Sequence, residues 1–358
     1  MKPIKQSLAF DVDSKELKVS FRILEEDLSI KTKGSRKFKN NATGFKNLKQ
    51  WSEKKRTADL PVHVIMEATG VYYENVAYFF NDLDSYIVHV VLANVSNAYF
   101  KSLNLKSKTD EIDARALAQL GLERELKVWE PASSQMQGIK TLVRERLRLI
   151  KEKTMVSNQL HAHTASYHKN SKVIKRYEIR IRFIIKQIKE IESDLRAIVK
   201  LDPELDARIE EICEVRGLGF ISVVGVIAEY NGFILFENRN QVISYAGYDV
   251  VLRESGTSIK GKPKISKRGN SYVRQMMYMP AMCSAVHEKH NKNYYKRIVI
   301  KTGIKMKANV AIQRKLLLLI YTLFKSGERY DPDHYLKVQK RLAPKDKLNK
   351  KIELEKVA

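Results

Sequence analysis

The chain has 358 residues, 44% hydrophobic and 30% charged, enough for two or three folded domains with cores of their own. Its 66 Lys and Arg against 41 Asp and Glu leave a formal charge of +25, an excess that favours association with a polyanion, nucleic acid above all. Two cysteines, Cys213 and Cys283, lie far apart without histidines at ligand spacing, which excludes a zinc ribbon and fits a reducing, cytoplasmic setting.

The N-terminal "MKPIKQSLAFDVD" lacks the apolar run of a signal peptide. Ser7 to Asp13 is an apolar run ending in acids, a polar turn follows near Ser14, and Leu17, Val19 and Phe21 then alternate with polar residues. That pattern predicts a β-hairpin with Asp11 central in its first strand. Lys31 to Lys55 is basic and irregular. Val62 to Gly70 ("VHVIMEATG") is expected as a buried strand with Glu67 near its end, "VYYENVAYFFNDL" as a helix, and Ser85 to Ala93 as another strand. In "SKTDEIDARALAQL", Asp110 and Asp113 open a helix three residues apart, so they share a face. Acids also favour a first helical turn simply because they complement its dipole. Alternating strands and helices after a hairpin predict an α/β domain with a mixed sheet over residues 1–130.

Pro131 to Ser134 punctuates the chain. Beyond it Tyr177, Ile181, Ile184, Ile188, Ile191, Leu195 and Ile198 recur at alternating spacings of four and three, the seam of a coiled coil. An earlier helix bearing Ile139, Leu142, Val143, Leu147 and Ile150 either packs on it within the chain or meets another subunit. Residues 131–210 are therefore expected as a helical coiled-coil or oligomerisation segment, giving a dimer or tetramer. Residues 211–330 read as a mainly helical domain. Gly217 and Gly219 precede an apolar helix, as in a helix-hairpin-helix that offers backbone amides to phosphate, or as in a simple tight turn. Next comes "RESGTSIKGKPKISKRGNSYVRQMM", expected as a basic loop ending in a helix near Ser271, with Arg253, Lys260, Lys262, Lys264, Lys267, Arg268 and Arg274 as candidate phosphate contacts. "LLLLIYTLF" (Leu316 to Phe324) is too short to span a bilayer and is expected as a buried helix, so no membrane partner is anticipated. Residues 331–358 form a charged tail poor in core residues.

Asp11, Glu67, Asp110 and Asp113 are four carboxylates from three elements of one α/β domain, with Asp13 a rival for the first position. Four such groups brought together would need cations; two Mg²⁺ ions about 3.5–4 Å apart would neutralise them and clamp a phosphoryl transfer. Asp11 in "FDVD", Glu67 in "MEATG" and Asp110/Asp113 in "SKTDEIDARALA" resemble the DEDD motif of insertion-sequence transposases with a RuvC-like, ribonuclease-H-type domain. "RGLGFISVVGVIAE", "YAGYDVVLRESG", "ISKRGNSYVRQMM" and "NVAIQRKLLLLIYTLF" are similar to the C-terminal transposase domain of that family.

The resemblance implies a DNA recombinase directed by a noncoding bridge RNA, acting on donor and target double-stranded DNA. It also implies a serine that forms a transient phosphoserine link. Ser255 in "RESGTS" is the best match, with Ser258 and Ser266 as alternatives. Because serine and carboxylates fall in different domains, the reading expects the complete site to be assembled between domains or subunits. Two further readings stay open: a junction-resolvase-like nuclease that uses the carboxylates and water, and a non-enzymatic nucleic-acid scaffold.

Overall fold

The computed structural model describes residues 2–57, 59–68, 70–104, 109–251, 254–255, 259–261 and 263–333. The chain divides into two compact units, Met1–Pro131 and Ala132–Ala358.

In the first unit β1 (Pro3–Val12) and β2 (Glu16–Glu25) form the anticipated antiparallel hairpin, with Asp11 opposite Lys18. The stretch read as irregular is instead ordered: β3 (Ile30–Lys39) pairs antiparallel with β2, and α1 (Ala42–Glu53) follows. Only Phe38 of β3 is buried, so the strand carries almost no apolar alternation and is held by its ladder to β2. β4 (Val62–Glu67) and β5 (Tyr86–Val91) add in parallel on the other side of β1, giving the order β3-β2-β1-β4-β5. α2 (Glu74–Asn81) connects β4 to β5.

The two sheet faces differ. Leu8, Phe10, Leu17, Val19, Phe21, Val64 and Met66 pack with Phe45 and Leu48 of α1 and with Val76, Ala77 and Phe80 of α2. The opposite face, bearing Ala9 and Ile65, is covered by Leu117, Ala118 and Leu120 of α4 (Asp110–Glu123). A helix not foreseen, α3 (Ala93–Ser102), lies between β5 and α4. Gly121 lets α4 close onto the sheet, because a Cβ there would overlap the Ile65 side chain and come within 2.9 Å of Ser7 Oγ.

The second unit is mainly helical. α5 (Ser134–Ala165) and α6 (Ser171–Lys200) pack on each other, with Tyr177, Ile181, Ile184, Ile188 and Ile191 meeting Leu149 and Val156. The seam thus finds partners within the chain, as a helical hairpin. α7 (Pro203–Cys213), α8 (Phe220–Glu229), α9 (Arg239–Ala246), α10 (Ser271–His287), α11 (Lys289–Thr302) and α12 (Lys305–Ser326) follow. Leu316, Leu317, Ile320 and Leu323 of α12 are buried in its core, as expected of "LLLLIYTLF". Among the described residues no helix is long and apolar enough to cross a membrane.

The segment read as a basic loop contains two short ladders, one inside the other. β6 (Val250–Val251) pairs with β9 (Lys264–Ile265), and β7 (Glu254–Ser255) pairs with β8 (Ile259–Lys260). Strands of two residues are too short to show a period, which is why the sequence pattern reads as loop. Most of the charged tail, residues 334–358, lies outside the described residues.

Candidate active site

Three elements bring carboxylates to the α4-covered face of the sheet. Asp11 follows Ser7 and Ala9 on that face of β1, Glu67 ends β4, and Asp110 and Asp113 lie in the first turn of α4. Thr109 starts α4 by accepting the Ile112 amide on its hydroxyl at 3.3 Å. α4 is further tied down where Arg22 Nη1 donates to Gln119 Oε1 at 2.9 Å and Tyr99 OH donates to Glu123 Oε2 at 2.7 Å. Ser96, fully buried on α3, donates its hydroxyl to Glu67 Oε2 at 2.5 Å and fixes that carboxylate.

Asp11 lies within electrostatic reach of the other acids. Burial pushes the Asp11 carboxyl above the ordinary carboxylate range, and Asp113 pushes the same way. The Lys18 ammonium opposes them, while Glu67 and Asp13 add to the rise. Asp110 joins through an ion pair with Lys18. Asp11 therefore feels the charges of Asp113 and Glu67, and Lys18 acts on Asp11 while pairing with Asp110. Among the described residues no three His, Cys, Asp or Glu side chains are gathered closely enough to hold an ion as they stand. The donor set is nonetheless all oxygen and over-acidic for its single lysine, the chemistry that suits a hard divalent cation. Lys18 was not singled out from sequence, although the hairpin register alone places it opposite Asp11.

In the second unit Ser255 is the last residue of β7, and its backbone pairs with Ile259. Arg253, Ser258 and Lys262 lie outside the described residues, as do the side chains of Ser255 and Lys260. Ser266 is engaged: its hydroxyl accepts the Arg268 amide at 3.2 Å. Lys264, Lys267 and Arg268 are exposed. Arg274 turns inward, where Nη1 donates to the Ala246 carbonyl at 2.7 Å and closes the end of α9.

Gly217 has φ +104°, and a Cβ there would lie 3.0 Å from the Pro280 carbonyl, so this glycine is required by packing against α10. Gly219 begins α8 with open space around it.

A buried network that sequence reasoning missed holds the base of the serine hairpin. Arg144 of α5 grips Glu229 of α8 with two bonds, Nε to Oε1 at 2.6 Å and Nη2 to Oε2 at 2.8 Å. Asn270 Nδ2 donates to the same Oε2 at 2.6 Å, while its Oδ1 accepts the Tyr272 amide at 2.9 Å and so starts α10. The Asn270 amide donates to the Tyr245 carbonyl at 2.7 Å, and Lys267 N donates to the Gly247 carbonyl at 3.1 Å. A charged residue inside "VVGVIAEY" was the available signal: an acid ending an apolar helix requires a partner.

An acid-bearing α/β sheet and a basic segment with a serine lie on one polypeptide. A DEDD transposase model of the IS110 type matches residues 11–169, and a model of the IS116/IS110/IS902 transposase family matches residues 209–296. The chain belongs to the IS110 family of transposases, enzymes of DNA recombination. It is 27% identical over 299 residues to the pilin gene-inverting protein of Moraxella bovis, covering 82% of this chain and 89% of that protein. The pilin gene-inverting protein of Moraxella lacunata matches to the same extent. The transposase for insertion sequence element IS1111A of Coxiella burnetii is 21% identical over 267 residues, covering 66% of this chain and 72% of its own.

Proposed function

We propose that the chain is a DNA strand-exchange enzyme of ribonuclease-H type, with Asp11, Glu67, Asp110 and Asp113 holding divalent ions, Mg²⁺ by their hard oxygen chemistry, and with Ser255 as nucleophile. The observation that carries this reading is the placing of Asp11 and Glu67 on one sheet face beside the first turn of α4, where burial first and then Asp113 and Glu67 raise Asp11. The order β3-β2-β1-β4-β5, with only its first two pairings antiparallel, agrees with a RuvC-like sheet.

The ions, when bound, would polarise the scissile phosphate and offset charge that builds on it. The chain supplies the rest. Ser255 Oγ attacks phosphorus, forming an O–P bond as the bond from phosphorus to a sugar oxygen breaks and that oxygen takes up a proton. A sugar hydroxyl of the second DNA strand then attacks the phosphoserine, restoring the serine hydroxyl and joining the strands. The reaction requires serine and carboxylates to act on one phosphate in the loaded assembly. The buried Glu229 network would keep the serine hairpin on its helical support, and the exposed Lys264, Lys267 and Arg268 suit backbone contacts.

Guidance by a bridge RNA is the partner reading that the family resemblance implies, and the +25 charge supports a large polyanionic complex acting at DNA in the cytoplasm. Self-association through the helical hairpin of α5 and α6 is supported by Met155, Ile179 and Phe183, apolar side chains left exposed there.

The test is a strand-exchange reaction with Mg²⁺ and co-expressed element RNA, for wild type, Asp11→Ala and Ser255→Ala, with denatured products examined for protein joined to DNA. An adduct that both substitutions abolish supports the reading. Normal cleavage by Ser255→Ala transfers the chemistry to another serine or to water.

A further inference from the structure

Two hollows bordering the first unit are lined by none of the carboxylates Asp11, Glu67, Asp110 and Asp113. One of about 620 Å³ is walled by β3 and α1, including Arg36, Lys37, Lys39, Thr43, Asn47 and Gln50. A second of about 630 Å³, bordered by Lys46, Lys49 and Glu53, adjoins it through Gln50 and Lys54. Six cations thus border two adjoining hollows: Arg36, Lys37, Lys39, Lys46, Lys49 and Lys54. Their single acid, Glu53, is already engaged by Arg56 at 2.6 Å and by the Tyr86 hydroxyl at 3.1 Å. Among the described residues none of the six makes an ion pair. So many unpaired like charges around the two hollows repel unless a polyanion fills them.

The wall is firmly built. Gly44 brings α1 so close to β3 that a Cβ would overlap the Lys39 carbonyl, and Asn41 Oδ1 caps the helix by accepting the Gly44 amide at 2.8 Å. The aromatic rings are not available for base stacking: Phe38 is buried, and Trp51 is half-buried with its ring edge-on to Phe21 and Phe38. A single strand would want an exposed ring to stack on, whereas a duplex needs only its backbone held. Thr43, Asn47 and Gln50 between the cations supply neutral donors for phosphate oxygens.

Although α1 covers the sheet face opposite the acids, the rim of the groove at Lys37 is in register with them. Asp11 pairs with Lys18 across β1 and β2, and Lys18 pairs with Lys37 across β2 and β3. At about 4.8 Å per strand, the Lys37 backbone lies roughly 10 Å from that of Asp11. Lys37 borders the groove, so a row of side chains leads from the carboxylates to its rim. We infer that the β3–α1 groove is a second DNA-backbone site, which grips the duplex flanking the scissile phosphate without reading its sequence. This rests on the carboxylates being where the phosphate is cut.

The test is binding, separate from cleavage. Full-length protein is titrated with a 30-base-pair DNA duplex in EDTA over a range of salt, followed by fluorescence anisotropy. Lys39→Gln/Lys46→Gln/Lys54→Gln, all exposed positions, should lower the slope of log affinity against log salt by about 2–3, at about 0.9 for each phosphate that is no longer neutralised. Lys54→Gln alone, at the junction of both hollows, should lower it by about 1. The control Lys172→Gln/Lys175→Gln/Lys189→Gln removes the same charge from α6. An unchanged slope in the groove variant, or an equal fall in the control, overturns the inference. A fall seen only with an RNA duplex of the same length overturns the assignment to DNA. Loss of cleavage chemistry in Ser255→Ala moves none of these slopes, so failure of the serine assignment is distinguishable.

Discussion

Replacing Glu229 by alanine tests whether the hairpin base is held as described. The Glu229 side chain is 0% exposed and that of Arg144 is 34% exposed. Truncation leaves a guanidinium missing both bonds of its fork and the Asn270 amide missing its 2.6 Å acceptor. Breaking a buried pair costs about 3–5 kcal/mol. Because a third of Arg144 still reaches water, the low end applies, about 3 kcal/mol, or roughly 6–12 °C in melting temperature for a unit of this size. Calorimetry gives the shift, and hydrogen exchange gives its location, since the Asn270 and Tyr272 amides should lose protection first. Arg144→Met/Glu229→Leu should regain more than half of the loss, because it buries no lone charge. A fall in melting temperature under about 2 °C, or a double variant no better than the single, would refute the reasoning.

Gly217→Ala should cost about 1–3 kcal/mol, since φ is +104° and the added Cβ meets Pro280 and Ser284 at 3.0 Å, whereas Gly219→Ala in open space should cost far less. Denaturant melts compare the two. His63 donates to or accepts from His89 at 2.9 Å, and burial first, then His89 and Lys5, hold its imidazole down at about 4. Folding therefore favours its neutral form: the unfolded chain binds more protons between pH 6.5 and about 4, so this stability is present above 6.5 and is lost as pH falls through that window. His63→Gln should flatten the acid limb of a stability–pH curve, and an unchanged limb would count against it. Lys18→Gln removes the ammonium from the carboxylate cluster and should tighten divalent-cation binding by roughly tenfold, about 1.4 kcal/mol, in calorimetric titration; weaker binding would mean that Lys18 supports the cluster rather than competing for it.

The strand positions of Asp11 and Glu67 were legible because burial writes itself into strand patterns: an acid following "SLAF" or ending "VHVIM" stands out against its apolar run. β3 was illegible for the opposite reason, its lysines hiding a strand whose reason to form is the neighbouring ladder. The heptad seam of α6 was plain, but a period names a buried face and not its partner, and α5 supplied that partner within the chain. Asn270 reads as an ordinary helix cap, and only the fold brings Glu229 and Arg144 to it across long stretches of sequence.

One edge of the sheet ends in β3, which pairs on a single side. Among the described residues no strand pairs with its outer side, although Lys55 Nζ donates to the Lys33 carbonyl at 2.9 Å, and an edge strand invites a strand from another molecule. Lys31, Lys33, Lys37 and Lys39 stand exposed along it, and a second copy adding there would set lysine against lysine down the whole ladder. The basic edge therefore keeps crowded copies of the protein from fusing sheet to sheet. Replacing those lysines by neutral residues would lift that safeguard, so such variants should precipitate more readily.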